Sequence, residues 1–124
     1  MDMNEIHLTG RLTRDAELKY NEEGRAFVGF TLAVNGMKDK EGRSQVNFLN
    51  CYLWGSQAEF FAKYGAKGRR ILICRGMLRT CKKLDETSGL SQTYTFVNVQ
   101  NFEFLDPYVE RPQGSLFEQT GIVL

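Results

Sequence analysis

The chain has 124 residues, 16 Lys and Arg against 15 Asp and Glu, three cysteines and one histidine. That length suits a single domain able to bury a core without disulfides or metal, and an odd set of cysteines with no Cys-x-x-Cys pair argues against a disulfide framework or a zinc site and for a reducing compartment. The opening MDMNEIHLTG has no apolar leader and no later segment is long enough to cross a bilayer, so the expectation is a soluble cytoplasmic protein with no membrane partner.

In chain order, strand signals dominate. Ile6, Leu8 and Leu12 alternate with polar residues in EIHLTGRL, and Val28, Phe30, Leu32 and Val34 alternate in AFVGFTLAV, which reads as two half-buried strands. A third strand is NFLNCYLWG. The next residues, Ser56-Gln57-Ala58-Glu59, match a capping box and predict a helix start. Phe60, Phe61 and Tyr64 give that helix an apolar face, and Gly65 is placed to end it. Arg70 to Thr80 forms a fourth strand, with Gly76 marking a bulge or bend, and Tyr94 to Leu105 a fifth. The polar segments NEEG, KDKEGR and DETSG read as turns or hairpin tips. The pattern is all-β with one short helix. Five strands with a helix between the third and fourth is the order of a five-stranded OB-fold, a Greek-key barrel that binds oligonucleotides or oligosaccharides, although SH3-like barrels and other small β folds share much of the pattern.

The third strand carries an unusual second face. Leu49, Cys51 and Leu53 make an ordinary core stripe, whereas Phe48, Asn50, Tyr52 and Trp54 point the other way. Those aromatics suit either a ligand-binding surface or an interface buried against another subunit. Charge is uneven too. Lys67, Arg69, Arg70, Arg75, Arg79, Lys82 and Lys83 occur with no acidic residue among them; residues 1–105 hold 15 Lys and Arg against 12 Asp and Glu, and residues 106–124 hold one against three. A basic body partly masked by its tail suits an anionic partner; a solvated charged face is the plainer explanation.

Catalytic readings find little support. His7 is the only histidine, and no nucleophile, base and orienting group can be assembled around it. There is no Walker A loop, zinc-ligand spacing or dinucleotide fingerprint, and Asp15, Glu17, Glu22 and Glu23 lie along a loop rather than in a cluster that a metal-dependent nuclease would need.

GRLTRDAELKY, the glycine of NEEG, FTLAVN, NFLNCYLWGSQAEFFAKYGAKG and CRGMLRT followed by a charged hairpin and a valine-rich last strand occur in one order. From about Met3 to Leu105 the chain resembles bacterial-type single-stranded DNA-binding proteins. The resemblance implies an OB-fold domain at 1–105 and a short tail at 106–124, single-stranded DNA as partner, a homo-oligomer that is usually a tetramer, no cofactor and no catalysis. Phe48 and Trp54 match positions where the family stacks bases, and Tyr52 shares their parity. Asn50, where the family often has a basic residue, is placed to reach a phosphate, sugar or base edge. Lys67, Arg79 and Lys82 match phosphate-contacting positions, and Lys38 and Lys40 extend that path. Met37 and Lys83 stand where members carry stacking tryptophans, a departure that trades rings for charge.

The implied function is sequence-independent binding and protection of single-stranded DNA in replication, recombination or repair. The alternative is an OB-fold accessory protein of the primosomal kind, acting mainly through protein contacts. Members typically end in an acidic tip that recruits replication and recombination proteins, whereas this chain ends PYVERPQGSLFEQTGIVL, which puts that recruitment in doubt and leaves SLFEQTGIVL as a segment to dock on a neighbouring subunit or another partner. A reduced tail with substituted ring positions suits a member encoded by a phage or mobile element, acting in the host cytoplasm.

Overall fold

A computed structural model of the chain describes residues 1–107. The elements run β1 (Ile6–Leu12), β2 (Lys19–Tyr20), β3 (Ala26–Lys38), β4 (Ser44–Trp54), α1 (Ser56–Tyr64), β5 (Arg70–Leu84) and β6 (Ser91–Phe104). Five of the strands close on one another. β3 pairs with β1 and β4, and β5 with β1 and β6, all antiparallel; β4 and β6 close the ring in parallel through Cys51–Val97 and Tyr52–Asn98. This is the expected five-stranded barrel with its helix between the third and fourth barrel strands. β2 is an addition of two residues on the edge of β3, too short for apolar alternation to reveal.

The alternation read from the sequence becomes the core. Val28, Phe30 and Leu32 from β3, Cys51 and Leu53 from β4, Ile71 and Ile73 from β5, and Val97 and Val99 from β6 are buried together. Phe61 of α1 fills the space between them, its ring 4.7 Å from Phe30, 5.1 Å from Phe102 and 5.7 Å from Phe104. Burial pushes the Cys51 thiol up to about 12. The three cysteines do not share one role: Cys51 fills the core, Cys74 is half-buried and Cys81 is exposed.

The helix start differs from the capping-box expectation. Ser56 is already the first helical residue; Gly55 occupies the cap position and no side chain caps the helix. The Gly55 carbonyl accepts from the Ala58 and Glu59 amides at 3.0 and 3.2 Å. The one-residue offset arises because β4 runs to Trp54 and the chain must leave the wall at Gly55, whose φ of +71° suits glycine. Gly65 does end the helix: a Cβ there would stand 2.7 Å from the Phe61 carbonyl oxygen and 3.0 Å from the Ala16 Cβ. Gly76 also behaves as expected. The β5–β6 register slips beside it, and a Cβ would stand 2.9 Å from Ile6 Cγ2 and 3.0 Å from Val97 Cγ1.

Strands β3, β4, β5 and β6 run past the barrel as two exposed ribbons. The paired segments beyond Asn35 and Asn47 form one arm, and Leu78–Leu84 against Ser91–Val97 the other. The fourth and fifth predicted strands, ending at Thr80 and starting at Tyr94, stop short of this second ribbon because polar residues facing water on both sides carry no period-2 signal. Ladder hydrogen bonds and turn chemistry hold the arms instead. At the tip of the first, Asp39 Oδ1 accepts from the Glu41 and Arg43 amides; at the tip of the second, Asp85 accepts from the Thr87 amide and the Ser88 hydroxyl. The Thr87 amide and Ser88 hydroxyl hold the Asp85 carboxyl below its ordinary value. Asn21 organises the NEEG turn in the same way. No helix among the described residues is long and apolar enough to cross a membrane.

Candidate nucleic-acid interface

Successive β4 residues alternate between core and outside, so burial of Cys51 and Leu53 turns Phe48, Asn50, Tyr52 and Trp54 outward. Cross-strand register then adds the outward residues of β3: Phe27 lies opposite Trp54, Gly29 opposite Tyr52, Thr31 opposite Asn50 and Ala33 opposite Phe48. Gly29 makes room for a ring, since a Cβ there would stand 2.8 Å from Tyr52 Cε1. The rings of Phe27 and Trp54 are 5.2 Å apart, and Tyr52 meets Phe96 of β6 edge-on at 5.2 Å. One aromatic surface therefore crosses three strands. Phe48, where β4 leaves the barrel, is 65% exposed. The Thr31 hydroxyl donates to Asn50 Oδ1 at 3.2 Å, so the Asn50 NH2 is the end left to donate elsewhere.

The basic residues reach this surface by three routes. On β3 the outward residues are odd-numbered as far as Asn35, which would turn Lys38 to the other side. The register slips between Asn35 and Lys38 while β4 advances only from Val46 to Ser44. That bulge inserts one residue and returns Lys38, paired with Ser44, to the face of Phe48 and Trp54. On the second arm Arg79 pairs with Phe96 and Lys83 with Gln92, so both lie on the aromatic face; the Lys83 ammonium stands 5.8 Å from the Tyr94 ring. Lys82 pairs with Thr93 and alternates to the opposite face of the ribbon. Lys67 comes from the loop after α1, where its amide donates to Asp15 Oδ1 at 2.8 Å; Asp15 lines a groove with Arg14, Asn50 and Tyr52. Met37 is 86% exposed at the bulge, and Lys40 is exposed in the turn beyond it.

Not all of the basic run is available to an anion. Arg69 is buried, with Nε 3.0 Å from Asp106 Oδ1, its guanidinium donating to the Tyr64 and Asp106 carbonyls, and its plane 3.8 Å from the centre of the Phe104 ring. It fastens the end of β6 to the end of α1. His7 is likewise structural: its Nδ1–H donates to the Cys74 carbonyl at 2.6 Å. Among the described residues no group of His, Cys, Asp and Glu could hold a metal ion.

The model of the single-strand binding protein family matches residues 3–105. The chain belongs to that family. Its members are non-enzymatic DNA-binding proteins, in agreement with the absence of a catalytic constellation in the sequence. The "Single-stranded DNA-binding protein" of Halalkalibacterium halodurans is 37% identical over 113 residues, which cover 90% of this chain and 66% of that protein. "Single-stranded DNA-binding protein 3" of Streptococcus agalactiae is 36% identical over 105 residues, covering 84% of this chain and 75% of that one. The chain thus spans somewhat less than two thirds of the first relative and three quarters of the second. Among solved structures, a Plasmodium falciparum SSB in complex with ssDNA superposes with a TM-score of 0.74 at 25% identity, covering 86% of this chain and 97% of that one.

Within this family member, the structure adds three residues that sequence reasoning missed. Phe27 and Phe96 complete the aromatic surface, and the Arg25 guanidinium lies 5.0 Å from the Trp54 ring centre. Phe27 and Phe96 each sit next to a buried valine on an alternating strand, so outward parity was legible. That they meet Trp54 and Tyr52 depends on register between distant segments, which parity does not give.

Proposed function

We propose that this protein binds single-stranded DNA without reading its sequence, laying the strand over the outer face of β4 and between the two arms. The observation that carries this is the coincidence on one face of Phe48, Tyr52 and Trp54 with Lys38, Arg79 and Lys83. Every base has a π face, so aromatic platforms tolerate any sequence, each stacked base contributing about 1–3 kcal/mol. Phosphate neutralisation by Lys and Arg releases counter-ions and makes affinity fall with salt.

Phe48 and Trp54 are the stacking rings in this reading, with Tyr52 between them and the Asn50 amide as a donor to a base edge or phosphate. Lys38, Lys67, Arg79, Lys82 and Lys83 meet phosphates, Lys82 from the far side of its ribbon as the strand wraps it. Met37 gives a small polarizable contact. With lysine and methionine at two ring positions, affinity leans on charge. Residues 1–105 are the binding domain and 106–124 the tail. The working form is a homo-oligomer, a tetramer, coating single strands in the cytoplasm during replication, recombination or repair; support for this comes from family membership and the names of the relatives.

Trp54 is the only tryptophan, so its fluorescence tests the reading directly. Titration with oligothymidine is expected to quench it, more weakly as salt rises, while an equal-length duplex leaves it unchanged. Unchanged fluorescence together with no mobility shift would sink the proposal and leave the primosomal type of accessory protein.

A further inference from the structure

α1 carries two adjacent phenylalanines in different surroundings. Phe61 is fully buried, whereas Phe60 is 53% exposed. Around Phe60 stand Tyr64 at 4.9 Å and Phe102 and Phe104 at 6.3 Å, measured between ring centres. Leu105, 46% exposed, follows directly at the end of β6. Large apolar side chains grouped on a surface in this way mark a contact site. None of these residues belongs to the aromatic face of β4.

The described chain ends at this patch. Arg69, lying over Phe104, grips Asp106 through both its carboxylate and its carbonyl, and the Leu105 amide donates to the Arg70 carbonyl at 2.9 Å. The direction of exit is therefore anchored beside Phe104. Beyond it, residues 108–124 contain Leu116, Phe117, Ile122, Val123 and Leu124 in an otherwise polar segment. The eight residues from Pro107 to Ser115 reach up to about 26–29 Å at ~3.3–3.6 Å each, several times the 6.3 Å that separates the patch's rings.

We propose that residues 115–124 fold back onto the Phe60–Phe104–Leu105 patch of their own chain. The tether favours this occupant over a second copy, because a short flexible link holds a segment at millimolar effective concentration, so a weak apolar contact suffices. Charge agrees: Lys63 lies at the edge of the patch, 5.4 Å from the Tyr64 ring centre, and Glu118 follows Phe117 in the tail. The tail then serves as a cover for the α1 end of the barrel, a role independent of DNA binding.

The test places p-benzoylphenylalanine at position 117 of the full chain and irradiates a mixture of isotopically light and heavy protein. Crosslinks are expected to map to residues 56–64 and 101–107, to join light with light and heavy with heavy, and to fall at least fivefold in Phe60→Ser. Phe60 is exposed, so that variant should keep its thermal transition, which circular dichroism checks. Mixed light–heavy crosslinks would overturn docking within one chain in favour of a second copy. No crosslink to the patch, or crosslinks indifferent to Phe60→Ser, would overturn the patch itself.

Discussion

Two aromatic groups in this protein have similar rings and different surroundings. Phe30, Phe61, Phe102 and Phe104 pack at centre distances of 4.7–5.7 Å, and the nearby Arg69 is committed to Asp106. Phe27, Tyr52, Trp54 and Phe96 pack almost as closely, yet they are half-buried, continue to the exposed Phe48, and are flanked by Lys38, Arg79 and Lys83 on the same face. Ring contacts alone therefore do not separate a core from a binding surface. What separates them is whether the second side of each ring meets protein or water, and whether neighbouring cations already have a carboxylate.

The largest effect that sharpens this contrast is on stability. Phe61→Ala is expected to cost about 3–5 kcal/mol in denaturant unfolding, because the fully buried ring leaves a cavity, while the folded fraction still binds oligothymidine. Phe48→Ala should do the reverse: stability within about 0.5 kcal/mol, but binding weakened by about 1–3 kcal/mol, read as a shift in titration midpoint. If Phe48→Ala unfolds the protein as Phe61→Ala does, the division into core and surface breaks down.

A smaller effect concerns the arms. Arg79→Ala and Lys83→Ala should each lower the slope of log affinity against log salt by about 1. Lys82→Ala, on the other face of the ribbon, separates two paths: an equal fall means the strand wraps the arm, and no change confines it to the aromatic face. Smallest is a chemical difference within the cysteines. Thiol labelling of the native protein at pH 8 should modify the exposed Cys81 and leave Cys51 untouched until unfolding, since burial keeps the Cys51 proton in place up to about 12. Rapid labelling of Cys51 would mean that the barrel wall opens easily.

Much of the fold was legible because it rests on local rules. NFLNCYLWG sorted correctly into core and outer faces, Gly65 ended the helix, and Gly76 marked an irregular register. The capping box misled by one residue because the pattern Ser-x-x-Glu does not reveal that Gly55 already fills the cap. The basic run misled at Arg69, which looks like its neighbours until Asp106, 37 residues later, is brought to it.

The sequence by itself determined which side chains share a face of each strand, where the helix interrupts the barrel, and which turns close the arms, since all of these follow from backbone geometry over a few residues. Tertiary structure alone decided that Phe27 and Phe96 join Trp54 and Tyr52, that a bulge returns Lys38 to their face, and that Arg69 is spent on an ion pair. Those outcomes depend on register between segments far apart in the chain, and a single inserted residue reverses which face a side chain meets.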